Sequence, residues 1–79
     1  MRITVLYFAQ LKDHRGRSTE SIQTDCLTVG ALYSSLGLDN EFHLPRGHVR
    51  PAVNEVFCDY DAVLNEGDVV AFMPPMCGG

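Results

Sequence analysis

Two continuously apolar stretches lie near the two ends of the chain. Residues 3–9 read Ile-Thr-Val-Leu-Tyr-Phe-Ala, and residues 68–73 read Asp-Val-Val-Ala-Phe-Met. β-Branched and aromatic residues favour strands, and a strand that lacks polar alternation is typical of one buried on both faces. We therefore expect these two strands to be neighbours in the middle of a mixed sheet.

A helical repeat follows Thr28, whose hydroxyl is well suited to an N-cap. The apolar residues recur at i, i+3, i+4 and i+7, which places them on one helix face. They are Val29, Leu32, Tyr33 and Leu36. Gly37 then stands where a left-handed residue commonly ends a helix. The pattern predicts one short amphipathic helix, which must pack on the sheet to be stable.

The remaining segments are shorter and more polar. Residues 10–17 contain few apolar side chains, which predicts a connection, and residues 18–24 have the composition of an exposed edge strand. Residues 38–48 predict an irregular segment, because proline and glycine interrupt it. Short strands are predicted at 49–54 and 56–59, followed by a turn at 65–68.

The order of these elements is β, β, α, β, β, β with a single main helix, which is that of the α+β ubiquitin-like β-grasp fold. We expect a mixed sheet of about five strands packed on that helix. The predicted domain spans residues 1–73, and residues 74–79 form a projecting tail. A small ferredoxin-like domain is the alternative architecture, but the sequence shows only one convincing helix.

Composition narrows the class of protein further. The chain has 79 residues, enough for one small domain, and its net charge of −4 argues against nucleic acid as a partner. No apolar run is long enough to span a membrane, and the N-terminus lacks the features of a signal peptide. Three cysteines without a Cys-x-x-Cys spacing argue against a disulfide framework or a zinc site. We therefore expect a cytoplasmic protein, and no metal site is predicted.

The last eight residues carry the strongest functional signal. Pro74 and Pro75 lack N–H donors, so they end the strand and favour a stiff, extended backbone. Gly78 and Gly79 have no Cβ, which makes the tip as thin as a chain can be. We interpret the segment as an arm that ends in a free α-carboxylate, anionic at neutral pH.

The tail Phe-Met-Pro-Pro-Met-Cys-Gly-Gly resembles the Phe-x-Pro-Pro-x-x-Gly-Gly ending of the small subunits of molybdopterin synthase. Tyr7-Phe8-Ala9, Ala52-Val53-Asn54 and Gly67-Asp68 are similar to other family motifs, and they occur in the expected order. The chain is therefore identified, by resemblance, as a member of this family of ubiquitin-like sulfur carriers. Cys77 departs from the family, which usually has Ser, Thr or Ala there, and a thiol at this position could capture an activated carboxyl.

The resemblance implies the chemistry of the tail. A ubiquitin-activating-type partner adenylates the Gly79 carboxylate with ATP and magnesium, whereas this chain binds no cofactor itself. A sulfur donor then replaces AMP and leaves a C-terminal thiocarboxylate. In the large subunit of the synthase, the tail donates its sulfur to a pterin precursor, and the two kinds of subunit form a heterotetramer. The chain alone is not expected to be a catalyst.

The resemblance also suggests which residues contact these partners. The residues expected to thread into the partner active sites are Pro74, Pro75, Met76, Cys77 and Gly78. The candidate anchors for docking are Phe72, Phe8 and Met73, with Leu6 as a further candidate if it faces outward. Part of one sheet face should then present an apolar patch to the large subunit. Each phenylalanine could instead be a core residue, since burying one stabilises a fold by about 1.5–3 kcal/mol.

Other functions fit the same tail. Sulfur carriers of this fold also serve thiamine, cysteine or tRNA thiolation and end in Gly-Gly. A ubiquitin-like modifier would be attached to lysines of other proteins through Gly79, after the same adenylation. A plain interaction module of this fold would not need the tail at all. The Pro-Pro pair favours the molybdopterin branch, by resemblance alone.

Overall fold

The computed structural model describes residues 1–37 and 48–74, apart from the side chains of Gln10 and His14. The predicted irregular segment, up to residue 47, and residues 75–79 of the predicted tail lie outside these residues. The elements within them are, in chain order, β1 (Arg2–Tyr7), α1 (Ala9–Arg15), β2 (Thr19–Gln23), α2 (Val29–Ser35), β3 (Arg50–Val53), β4 (Val56–Phe57) and β5 (Val69–Met73).

The strands form one mixed sheet in the order β2-β1-β5-β3-β4. The two apolar strands, β1 and β5, are parallel neighbours at its centre, with Leu6 opposite Ala71 and Tyr7 opposite Phe72. β2 runs antiparallel to β1 at one edge, and β3 and β4 complete the other side by antiparallel pairing. The predicted central pair, the edge strand and the β-grasp sheet are therefore confirmed.

The core lies between one face of the sheet and α2. Alternate residues of the two central strands point into it and are almost completely buried. They are Ile3, Val5, Tyr7, Val70 and Phe72. From α2, the predicted apolar face supplies Val29, Leu32 and Tyr33, all fully buried. The Tyr33 and Phe72 rings meet edge to face, with centroids 5.1 Å apart, so the helix is fixed on β5.

Both ends of α2 follow the sequence prediction. The Thr28 hydroxyl accepts a hydrogen bond of 3.2 Å from the Ala31 N–H. The Gly30 N–H donates to the Tyr60 carbonyl at 2.7 Å, so a neighbouring segment satisfies another N–H at the start of the helix. Gly37 has a φ of 75°, the left-handed conformation that favours glycine after a helix.

The prediction of a connection at residues 10–17 was wrong, because this stretch contains most of α1. Among the described side chains of the helix, Leu11 is the only one that lies in the core. The sequence of this seven-residue helix has no apolar repeat, so a pattern based on periodicity does not reveal it. Gly16, which suggested a loop, ends this helix with a φ of 74°.

The expectation that β1 and β5 are buried on both faces was also wrong. In β1, the core residues alternate with Thr4 and Leu6, which are only half-buried. In β5, Val69 and Met73 are half-buried on the same side. No helix in the described parts of the chain contributes to the depression on this second face of the sheet. These strands are apolar on two faces although the described structure buries only one.

Candidate functional site

The second face of the sheet carries an apolar depression, which we call the open face. Strand alternation brings apolar side chains from four strands onto it, and Phe8 joins them from the N-cap of α1. The apolar residues that line it are Leu6, Phe8, Ala52, Phe57, Val69, Ala71 and Met73. Contiguous exposed apolar surface on a small protein typically marks an interaction site.

The open face has a small floor and large walls. Ala52 and Ala71 are register partners on β3 and β5, and they are 3% and 7% exposed. Phe8 and Phe57 line the same depression but remain 42% and 51% exposed. Two aromatic rings that stand beside a floor of methyl groups form a concave apolar surface, which suits the side chains of a docked protein.

Two charged residues, Arg50 and Glu55, lie at opposite ends of the open face. Arg50 pairs with Met73, the last residue of β5, and its guanidinium lies 4.0 Å from the centroid of the Phe57 ring. Glu55 lines the depression at the turn between β3 and β4. The cation therefore lies where the tail leaves the sheet, and the anion lies at the far end.

The turn that carries Glu55 is fixed by a polar cluster around Asn54. Asn54 and Glu55 both have positive φ values, 52° and 71°, between the paired residues of the two strands. The Asn54 amide donates to Asp68 Oδ1 at 2.9 Å and accepts from the Val69 N–H at 2.9 Å. Asp68 Oδ2 also accepts from the Asn65 N–H at 2.8 Å. The cluster joins the β3–β4 turn to the start of β5.

A second polar cluster holds α1 and β2 against β1. Glu20 Oε1 accepts hydrogen bonds from the Tyr7 hydroxyl at 2.8 Å and from Arg15 Nη2 at 2.7 Å. Burial alone would raise the pKa of Glu20, but the hydrogen bonds from Arg15 and Tyr7 and the charges of Arg15 and Arg17 outweigh it. The pKa of Glu20 therefore lies below its ordinary value. Burial and the bond to Glu20 raise the pKa of Tyr7, which stays protonated. By anchoring α1, the cluster also positions Phe8.

The structure places the predicted docking residues on two different faces. Phe8, Met73 and Leu6 all lie on the open face. Phe72 does not, because strand alternation turns it into the core, where it is fully buried against Tyr33. The prediction of Phe72 as a docking anchor was therefore wrong.

The predicted threading residues begin at the edge of the described structure. Pro74 is buried at the end of β5. The other predicted tail residues lie outside the described structure, and so does the reactive terminus. They are Pro75, Met76, Cys77, Gly78 and Gly79. The boundary between the domain and the tail after residue 73 stays a prediction.

Within residues 1–37 and 48–74, no group of His, Cys, Asp or Glu side chains has the geometry to hold a metal ion. Cys26 and Cys58 are half-buried free thiols. Partial burial and the charges of Asp59 and Asp61 raise the pKa of Cys58, so it is a protonated thiol at neutral pH. The same part of the chain contains no helix that is long and apolar enough to span a membrane.

Sequence reasoning missed Phe57, Arg50 and the two alanines of the floor. Phe57 lies in a strand of only two residues, Val56–Phe57, which is too short to show alternation. Ala52 and Ala71 carry no chemical signal of their own, and their importance follows only from the pairing of β3 with β5. The available signal was the second apolar face of β5, which was interpreted as burial.

Residues 5–79 match the ThiS family. This chain belongs to the ThiS family. It is 35% identical over 80 residues to the molybdopterin synthase sulfur carrier subunit of Escherichia coli, and the match covers 98% of this chain and 99% of that protein.

Solved structures agree with the fold of this ThiS-family chain. One chain of the complex between subunits 1 and 2 of molybdopterin-converting factor from Helicobacter pylori is 26% identical to this chain. The two superpose with a TM-score of 0.69 over the full length of both. Haloferax volcanii SAMP1 superposes with a TM-score of 0.78, also over both full lengths. At 22% identity, the latter likeness shows the shared fold alone.

Proposed function

We propose that this chain is the sulfur carrier subunit of a molybdopterin synthase. The observation that supports this most directly is the 35% identity to the Escherichia coli sulfur carrier subunit, which extends over nearly the whole of both chains. The Pro-Pro and Gly-Gly pairs of the tail, which resemble that family's ending, add support because a plain interaction module would need neither.

The reactive group in this proposal is the carboxylate of Gly79. A carboxylate is a poor electrophile, so a partner enzyme first transfers AMP to it from ATP with magnesium and releases pyrophosphate. A sulfur donor then displaces AMP, and the terminal group becomes a thiocarboxylate. In the large subunit, this sulfur is transferred to the pterin precursor, and two loaded carriers are consumed for each dithiolene formed.

The open face is the proposed docking surface for the large subunit. Met73 lines that face, and the next residue, Pro74, begins the predicted tail. A partner seated on the open face is therefore adjacent to the base of the tail. Holding a peptide segment in one bound conformation costs roughly 1–2 kcal/mol per residue, and burial of Phe8, Phe57 and Met73 offsets that cost.

Reconstitution from purified components tests the proposal. The chain is prepared with a C-terminal thiocarboxylate and mixed with the large subunit of the same organism and the pterin precursor. We expect dithiolene formation that is limited by the amount of carrier, with two carriers consumed per product. The same chain with an ordinary carboxylate is the control and should give no product. Absence of product from the thiocarboxylate form would contradict the proposal.

A protein modifier is the second function compatible with a Gly-Gly terminus. The likeness to SAMP1 supports only the common fold, so no structural observation favours conjugation over sulfur transfer. Higher-mass conjugates in cell extracts that disappear when Gly79 is deleted would favour the modifier.

A further inference from the structure

Arg50 lies at the rim of the open face, where it contacts Phe57 without lining the depression itself. It stands at the start of β3, opposite Met73 at the end of β5, so it flanks the base of the tail. Its guanidinium is stacked on Phe57, one of the walls of the apolar depression. A flexible side chain at a strand edge is thereby held beside the surface that the partner is proposed to cover.

The charge of Arg50 is not neutralised inside the described part of the chain. The ion pairs there join Arg15 and Arg17 to Glu20, on the other side of the sheet. Glu55 lines the depression, but it lies in the turn two residues beyond the end of β3, whereas Arg50 begins that strand. The length of β3, about 10 Å at roughly 3.3 Å per residue, therefore lies between them, and no hydrogen bond or ion pair joins these two side chains.

Docking changes the surroundings of this cation. A partner that covers Phe57 and Met73 also removes water from the guanidinium between them. Removing water from a charge costs free energy unless an opposite charge and hydrogen bonds replace it. The Phe57 ring supplies part of that compensation, but it cannot accept hydrogen bonds from the N–H groups, which point outward in the guanidinium plane.

We propose that the docked large subunit places a carboxylate side chain against Arg50. This inference rests on the proposed function and specifies the chemistry of its partner surface: apolar side chains over the alanine floor, and an Asp or Glu at the tail end. A planar guanidinium held by stacking is preorganised for a bidentate carboxylate contact. Since Glu55 places a negative charge at the opposite end of the open face, the contact between Arg50 and the carboxylate also determines the orientation of the docked partner.

Substitutions of Arg50 distinguish a partner that places a carboxylate against it from a partner that does not. Arg50→Met keeps the apolar bulk and removes the charge. If a carboxylate faces Arg50, this variant leaves that carboxylate buried and unpaired, and affinity for the large subunit falls by about tenfold or more. If no carboxylate is present, the variant removes an uncompensated charge and affinity stays the same or rises. Arg50→Glu should weaken binding further, through repulsion.

The measurement is the dissociation constant for the large subunit of the same organism, by calorimetry at low and physiological salt. Arg2→Met is the matched control, because Arg2 is an exposed arginine whose guanidinium donates to the Ser21 hydroxyl on β2, whereas that of Arg50 lies over Phe57. The affinity of Arg2→Met should equal that of wild type. Equal melting temperatures establish that the variants are folded. Replacing single acidic residues of the large subunit by lysine should then restore binding to Arg50→Glu at one position.

The outcomes separate the two proposals. If the wild-type chain does not bind the large subunit, the proposed function is contradicted. If wild type binds and Arg50→Met binds equally well or more tightly, only the carboxylate opposite Arg50 is contradicted. A loss confined to the Arg50 variants, with rescue by one lysine, supports it.

Discussion

At the scale of single residues, Asn54 determines the geometry of one end of the open face. Its side chain bonds to both Asp68 and the Val69 backbone, and its own backbone has a φ of 52°. Asparagine tolerates this left-handed conformation better than most residues. One side chain therefore meets a conformational requirement and two hydrogen-bonding requirements.

Replacing Asn54 by Ala should lower the free energy of unfolding by about 2 kcal/mol. The variant leaves the buried Asp68 carboxylate without one partner and puts a less tolerant residue in the left-handed region. Asn54→Gly should lose the same side-chain hydrogen bonds, but glycine adopts the left-handed conformation without strain. This variant should therefore be destabilised less than Asn54→Ala. The check is urea denaturation of both variants.

Asn65→Ala is the matched control for this cluster. Asn65 bonds to Asp68 through its backbone N–H and carbonyl, so removing its exposed side chain should leave the free energy of unfolding within about 0.5 kcal/mol of wild type. An Asn54→Ala variant that is as stable as Asn65→Ala would show that the cluster does not hold the turn.

Glu20 makes stability depend on pH. Because its pKa is lowered on folding, its contribution is fully present above the unfolded pKa of about 4.3 and is lost as pH falls through the folded value. The free energy of unfolding of wild type should exceed that of Glu20→Gln by about 1 kcal/mol at pH 7. The difference should shrink below about pH 4.3. The check is a series of unfolding curves between pH 3 and 7. A difference in the free energy of unfolding that is the same at every pH would contradict this prediction. Glu55→Gln, at an exposed position, is the control.

At the scale of elements, the strands were easier to predict than the short helix. β1, β5 and α2 could be predicted because each carries a run or repeat of several apolar residues that point one way. α1 could not, because Leu11 is the only one of its described side chains in the core, and its Arg15 binds the Glu20 carboxylate, which the Tyr7 hydroxyl holds from 13 positions away in the sequence. Such contacts exist only after the strands have paired.

The tail is the element on which the proposed chemistry depends. Gly78→Val would add a branched side chain next to the terminus, which widens the tip and restricts its backbone. We expect sulfur loading of Gly79 by the activating enzyme and sulfur donor to be strongly reduced, and deletion of Gly79 to abolish it. Loading is measured by intact mass after a timed reaction. Asp25→Val, a surface change within the domain, is the control, and normal loading of Gly78→Val would contradict the threading argument.

At the scale of the whole molecule, the central strands of the sheet are apolar on both faces, and the described helices cover only one of these faces. The sequence indicated both apolar faces, but it could not distinguish burial by a helix from burial by a partner, because both require the same residue types. That distinction needed the placement of Ala52, Ala71 and Phe57 in one depression.

Phe57→Ala should separate docking from folding. The ring is half exposed, so its removal should change stability little, yet it forms a wall of the depression and holds Arg50. Affinity for the large subunit should fall by about tenfold or more. Val63→Ala removes another exposed apolar side chain, 66% exposed and outside the depression, and should have no effect. Equal affinity of the two variants would contradict docking on the open face.

The intact mass of the protein purified from its own cells tests whether Gly79 carries sulfur. We predict a species heavier by the exchange of one oxygen for one sulfur, and fragmentation should place that change on Gly79. An unmodified Gly79 in cells that are actively making molybdenum cofactor would contradict it.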